Sequence, residues 1–372
     1  MARVFGLDLL RAIAVLMVLS SHALFFVRPL VPAVQALSLF GFLGVELFFV
    51  LSGFLVGGIA LRSLGARPGI AELFGFWVRR WFRTLPNYYL FLGVNLAIAA
   101  RGTIPSGVTP YFFFLQNFAW VSPGFFPESW SLSVEEWFYL LFPLLVAASA
   151  RAGASRRAAM ILGLAVLFLG SSGARGWAVA AGNPSWDAGV RKIVIYRLDA
   201  LMVGVVGAFV KEYHRPSWRR YREAGVAIGA ILATGVCWLY YNLDRNGSDF
   251  ARTAFFPLTS LAAFCFLPAL DAWQNAAGAV AGVVRRISLW SYSLYLCHLP
   301  VRNLLIAAFG DPELVNPAPS PAFAVGMTMA FVILSFATSA LVFRFFERPT
   351  MALRERFSTW YKRARGASSS PD

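Results

Sequence analysis

Apolar residues occur along the chain in ten long runs, separated by short segments rich in charge, proline or glycine. A helix needs about 20 mostly apolar residues to cross the hydrocarbon core of a bilayer, and most of the runs approach that length. The pattern predicts an all-α polytopic membrane protein with about ten transmembrane helices, near residues 8–28, 38–61, 84–100, 130–150, 158–174, 194–210, 223–242, 253–270, 288–309 and 322–346.

The polar segments between these runs predict the orientation. With the N-terminus in the cytoplasm, 23 of the 33 lysines and arginines fall on the cytoplasmic side and 8 on the outer side. Cytoplasmic loops carry the excess of basic residues in membrane proteins, so both termini are expected to be cytoplasmic. Residues 72–83 read as an interfacial amphipathic helix, and the outer loop 101–129 could fold over an outward-facing pocket. Residues 1–349 are expected to form one transmembrane domain, and residues 350–372 a basic, serine-rich cytoplasmic tail.

Composition agrees with a membrane protein: 58% of the 372 residues are hydrophobic and 14% charged. The net charge of +15 could indicate nucleic-acid binding, but arginines that flank membrane helices explain it better, so the expected partner is the lipid bilayer and not a nucleic acid. The three cysteines are scattered through apolar runs, which predicts neither a disulfide framework nor a metal site. Asp8 and Arg11 interrupt the first run and no cleavage site follows it, which argues against a cleaved signal peptide.

Ionisable residues inside the predicted helices are the candidates for chemistry, because each costs about 2.5–3.5 kcal/mol on insertion scales. Arg11 and His22 share one face of the first helix, since eleven residues make three turns plus about 20°. They are roughly 16 Å apart along its axis, with His22 in the outer half. Asp8 is the natural helical partner of Arg11.

Further polar residues map to the middle or outer half of the helices. They are Glu46, Glu135, Glu136, Arg197, Asp199, Tyr295 and His298. A histidine beside a carboxylate can act as a general base, whereas Glu46, Glu135 and Asp199 could instead form structural ion pairs with Arg197, and His298 could serve packing or substrate orientation. No Gly-x-Ser-x-Gly nucleophile motif accompanies them.

In these residues the chain resembles the acyltransferase family 3 of membrane proteins over nearly its whole length. The first helix has the family's arginine and histidine at a spacing of eleven, Arg11 and His22. The other matching motifs are Gly44–Phe54, Arg79-Arg80-Trp81-Phe82-Arg83 with Pro86, Trp130-Ser131-Leu132 through Glu135 and Tyr139, Arg197-Leu198-Asp199, Ser291–His298 and Glu347-Arg348-Pro349.

The resemblance implies transfer of an acyl group, usually acetyl from acetyl-CoA, to a hydroxyl of a carbohydrate or glycosylated acceptor at the bacterial inner membrane. The chain resembles the stand-alone type without an added esterase-like domain. As a hypothesis, His22 is the general base, aligned with Arg11 and oriented by Glu135, and Arg197 or a tyrosine stabilises the oxyanion. Acyl-CoA would bind Arg79, Arg80 and Arg83 and pass Ser52 on the way to His22. A transient acyl-His22 intermediate is the alternative.

Two other classes stay open on the sequence. A proton-coupled transporter or flippase of a sugar or lipid-linked glycan would use the same buried carboxylates and histidines to carry protons. A non-catalytic scaffold for polysaccharide export would not need the histidine–carboxylate cluster.

Overall fold

The computed structural model describes residues 3–99, 107–314 and 320–353, and all regular structure within these ranges is helical. Ten α-helices of sixteen residues or more form the body of the protein: α1 Phe5–Ala23, α2 Leu39–Ser63, α3 Ile70–Ala99, α4 Ser129–Arg151, α5 Arg156–Ala181, α6 Leu198–Tyr213, α8 Arg222–Asn242, α10 Phe255–Ala272, α11 Ala279–Phe309 and α12 Pro321–Val342. Two short helices, α7 Arg215–Arg220 and α9 Asp249–Arg252, connect their neighbours.

The all-helical membrane fold is confirmed, because each predicted run overlaps one long helix and, among the described residues, seven helices are long and apolar enough to cross a bilayer. The seven are α1, α2, α4, α5, α8, α10 and α12. Helix α6 has only 16 residues, and α3 and α11 carry several arginines. The count of ten spans and the cytoplasmic position of both termini therefore remain predictions.

Three helix boundaries differ from the predicted ones. Helix α3 begins at Ile70, so the amphipathic segment 72–83 continues into the apolar helix instead of lying apart from it. Helix α5 extends to Ala181 and includes Arg175, which the sequence had placed in an outer loop. Helix α11 begins at Ala279, nine residues before the predicted start. Of the predicted segments, 100–106 and 354–372 lie outside the described residues.

Helix α2 lies at the centre, packed against α1 and α6. Two glycines allow the close contact between α2 and α6. A Cβ atom on Gly53 would lie 2.0 Å from the backbone oxygen of Leu201, and one on Gly204 would lie 2.1 Å from that of Val50. Small residues of this kind let helix backbones approach closely in membranes. Helix α11 packs on the other side of α1 and against α12, so α1, α2, α4 and α11 surround the candidate site.

The outer faces of several helices are apolar. Leu169 on α5, Ile231 on α8 and Ile333 on α12 are 66%, 72% and 61% exposed. Such continuous apolar exposure is rare on soluble proteins and is typical of a surface that faces lipid.

Candidate functional site

Two cavities open near the two ends of α1. The His22 cavity has a volume of about 510 Å³, and the Ser52 cavity about 470 Å³. The first is lined by His22, His298, Arg302, Glu128, Arg191 and Lys192, among others. The second is lined by Arg11, Ser52, Arg80, Arg83, Glu135 and Tyr139, among others. The two key residues of α1, Arg11 and His22, therefore face different cavities although they share one helix face.

A common wall separates the two cavities, since Val45 and Tyr295 line both of them. The Tyr295 hydroxyl lies 2.6 Å from Ser131 Oγ and donates a hydrogen bond of 3.2 Å to the backbone oxygen of Glu128. These contacts tie Tyr295 on α11 to the start of α4. The sequence named Tyr295 as a supporting residue, and the structure places it between the cavities.

The two histidines stand together in the His22 cavity. Their ring centroids are 5.0 Å apart, and the rings are inclined by 48°. The Nδ1 atom of His298 lies 2.7 Å from the backbone oxygen of Tyr295. Because a carbonyl oxygen only accepts, this contact requires the proton on Nδ1 and leaves Nε2 of neutral His298 as an acceptor. That Nε2 atom is buried and has no hydrogen-bond partner in the described protein.

Glu135 belongs to the Ser52 cavity instead of the His22 cavity. Ser52 Oγ donates to its Oε1 atom at 3.1 Å, and the Tyr139 hydroxyl donates to its Oε2 atom at 2.7 Å. Both Glu135 and His22 are described, and neither makes a hydrogen bond to the other. This position does not support the expected orientation of His22 by Glu135.

The basic residues of the Ser52 cavity come from different parts of the chain and have different partners. Asp8 pairs with Arg3 at 2.7 Å and, as predicted, with Arg11, although at 3.8 Å. On α3, Arg80 is buried with its guanidinium over the ring of Tyr139, and Arg83 is exposed. Arg79, predicted to bind with them, is half-buried and is not among the residues that line this cavity.

Four of the predicted polar residues lie in neither cavity. Arg197 donates to Glu46 at 2.5 Å, and both side chains are at most 1% exposed. Asp199 pairs with Arg175 at 2.8 Å, again fully buried. Glu136 is also buried and lines neither cavity. Arg197 is thus paired away from both cavities, and the suggestion that it stabilises an oxyanion is not supported by its position.

Sequence reasoning missed two residues of the His22 cavity. Glu128 precedes the first residue of α4, and Arg302 follows His298 by four positions on α11. The spacing of four was a usable signal, because such residues are neighbours on a helix surface.

The same cavity is also lined by a cluster of charges, in which Asp187 contacts Arg191 at 2.5 Å and Lys192 at 2.6 Å. Burial acts to raise the pKa of Asp187, but these two cations outweigh it and lower that pKa to about 2. Among the described residues, no group of three potential ligands could hold a metal ion.

Comparison with known proteins agrees with the motifs. The profile of the family described as "Acyltransferase domain" matches residues 4–340. The peptidoglycan O-acetyltransferase OatA of Listeria monocytogenes is 26% identical over 92% of this chain and 55% of its own length. YrhL of Bacillus subtilis, named as a candidate peptidoglycan O-acetyltransferase, is 31% identical over 44% of this chain and 27% of its own. A candidate O-acetyltransferase of Staphylococcus aureus is 33% identical over 38% of this chain and 24% of its own.

These relatives are longer than the region that they share with this chain, which spans about half of their length or less. No solved structure matches the chain.

Proposed function

The chain belongs to the acyltransferase family that its residues 4–340 match, and from this premise we propose that it is an acyl-CoA-dependent O-acyltransferase. It moves an acyl group, acetyl by analogy with the names of its relatives, from cytoplasmic acyl-CoA to a hydroxyl of a carbohydrate or glycosylated acceptor outside the bacterial inner membrane. The observation that carries the proposal is the pair of cavities that meet at Tyr295, one with two histidines and the other with buried and exposed arginines.

The donor is assigned to the Ser52 cavity. Arg80 and Arg83 line it, and arginine can hold phosphate groups with two parallel hydrogen bonds. The thioester end would then lie beside Ser52 and Glu135, towards the wall at Tyr295. Glu135 keeps Ser52 and Tyr139 in fixed positions at this point, so its role becomes one of positioning on the donor side.

The acceptor is assigned to the His22 cavity. His22 removes the proton from the acceptor hydroxyl as its oxygen attacks the thioester carbonyl carbon. The carbon–sulfur bond then breaks, and the departing thiolate takes the proton back from the imidazolium. Tyr295 is the best candidate to stabilise the oxyanion, because its side chain borders both cavities. Direct transfer involves no covalent intermediate with the enzyme, whereas an acyl-His22 intermediate would leave label on the protein.

Purified full-length protein with radiolabelled acetyl-CoA and glycan acceptors tests the proposal. Wild-type protein is expected to label the acceptor, and His22→Ala to lose about 10²- to 10⁴-fold in rate, the usual contribution of a general base. Its acetyl-CoA binding should persist, while Arg80→Gln with Arg83→Gln should weaken that binding. His214→Ala is the matched control, because His214 is exposed and lines neither cavity.

Two results would contradict the proposal. Full transfer activity in His22→Ala would remove His22 from the chemistry. The transporter class would be favoured instead if neither an acceptor nor the protein became labelled and an unmodified glycan moved across the vesicle membrane.

A further inference from the structure

Three polar groups in the His22 cavity are buried without a protein partner. Both carboxylate oxygens of Glu128, Nε2 of His298 and Nε of Arg302 belong to this set. Glu128 and His298 are only 4% and 1% exposed. A buried polar group without a hydrogen bond is unfavourable, so in a native protein such groups bind ordered water or a ligand, and three of them in one cavity favour a ligand.

The partners required by these groups define the ligand. The Glu128 carboxylate and the His298 Nε2 atom accept hydrogen bonds, so they require donors such as sugar hydroxyls. Arg302 is a donor only, so it requires an acceptor. A ligand that satisfies all three groups carries hydroxyls together with a hydrogen-bond acceptor. A neutral alcohol would provide no countercharge for Arg302.

The charge of the cavity indicates that the hydrogen-bond acceptor on the ligand is an anionic group. Five cationic side chains line the cavity, against the carboxylates of Glu128 and Asp187: Arg28, Arg191, Lys192, Arg245 and Arg302. Arg28 is already paired with Glu313, and Arg191 and Lys192 with Asp187. Within the described ranges, neither Arg245 nor Arg302 has a carboxylate at ion-pair distance. With Glu313 included, three carboxylates face the five cations, so the cavity keeps an excess of two positive charges.

We propose that the His22 cavity binds an acidic carbohydrate. The inference deepens the proposed function, on which it rests for the identity of the acceptor site. Glu128 accepts hydrogen bonds from hydroxyls near the reacting one, and Arg302 with Arg245 holds a carboxylate or phosphate of the same molecule. Glu128 and Arg302 thus select the acceptor, while His22 performs the proton transfer.

Direct binding of small probes tests this proposal without any acyl transfer. Full-length protein in nanodiscs of phosphatidylcholine is titrated with glucose, glucuronic acid and glucose 1-phosphate, and binding is followed by saturation-transfer NMR. The two acidic sugars are expected to bind at least about tenfold more tightly than glucose, as is usual for hydrogen bonds to charged groups. Arg302→Gln should remove that preference, and Arg302→Lys should keep part of it. Glu128→Gln should weaken the binding of all three sugars.

The matched control is Arg219→Gln, because Arg219 is exposed on α7 and lines neither cavity, so its preference should equal that of wild-type protein. Equal binding of glucose and the acidic sugars would overturn the proposal, as would an unchanged preference in Arg302→Gln. Nanodiscs that also contain phosphatidylglycerol distinguish the source of the anion. If that lipid abolishes binding of the acidic sugars, the cations hold a phospholipid headgroup and the proposal fails. A preference for acidic sugars in a protein that transfers no acetyl would support this inference and contradict the proposed reaction.

Discussion

The buried ion pair between Glu46 and Arg197 makes a sharp prediction about stability. The charged atoms are 2.5 Å apart, both side chains are at most 1% exposed, and Ser260 donates a further hydrogen bond to Glu46 at 3.3 Å. Glu46→Gln keeps the shape but leaves Arg197 with a single, more distant countercharge, because Oδ1 of Asp199 lies 4.0 Å from Nε of Arg197 and the Asp199 carboxylate is shared with Arg175. Removal of one partner of a buried pair costs about 3–5 kcal/mol, so the ratio of folded to unfolded protein should fall by roughly two to four orders of magnitude.

Unfolding of the purified protein by SDS in mixed micelles measures this free energy. Glu313→Gln is the control, because it breaks the partly exposed pair with Arg28 and should cost only about 0–1 kcal/mol. A double variant, Glu46→Leu with Arg197→Met, should recover much of the loss, since a buried pair can often be replaced by apolar residues. If Glu46→Gln unfolds within about 1 kcal/mol of wild type yet abolishes function, Glu46 is not a structural countercharge. A role in carrying protons would then be the better reading.

Three further predictions concern packing, the donor side and acid. Gly204→Ala should destabilise the protein by about 1–3 kcal/mol in the same SDS titration, because its new Cβ would overlap the backbone oxygen of Val50. Tyr139→Phe should lower kcat/KM for acetyl transfer by about tenfold to hundredfold, since it removes a charge-assisted hydrogen bond to Glu135. Asp187 has its pKa lowered to about 2 from an ordinary value near 3.8, so its ion pairs should stabilise the segment Trp186–Arg191 above pH 4 and be lost as the pH falls towards 2. Tryptophan fluorescence during acid titration would follow that loss.

Each of these three has a matched control. Gly235→Ala should be nearly neutral, because a Cβ there meets nothing within 4 Å. Tyr241→Phe should keep full activity, since Tyr241 is exposed and lines neither cavity. Asp187→Asn should unfold with less dependence on pH between 4 and 2 than wild type. An identical acid transition in Asp187→Asn would refute the role of that carboxylate, and equal behaviour of a variant and its control would refute the other two.

The hydrophobic pattern located the helices well but could not show which carboxylate shares a cavity with His22. Glu128 and Glu135 are seven residues apart, which places them within about 20° of the same helix face but roughly 10 Å apart along the axis. Depth along the helix, and not helix face, therefore decides which of the two glutamates lines the His22 cavity. That depth depends on how far α4 is shifted along α1 and α11, and this shift is set by packing across the whole bundle.

The nearer of the two basic partners of Asp199, Arg175, could not be predicted from the sequence for a related reason. The predicted apolar run ended at residue 174, so Arg175 read as the first residue of a loop. In the fold it lies inside α5, fully buried against Asp199. A charge that interrupts an apolar run can end a helix or can be neutralised within it, and only the tertiary arrangement distinguishes the two.

The wall formed by Val45 and Tyr295 has a consequence for the proton gradient across the membrane. A transferase that takes substrates from both faces of a bilayer contains two bodies of water that almost meet. Each proton that leaked between them would dissipate about 2.3 kcal/mol per 100 mV of membrane potential. In the proposed reaction Tyr295, held by Ser131 and the backbone of Glu128, would therefore also act as a barrier to protons. It would have to admit an uncharged acyl group while keeping the two bodies of water apart.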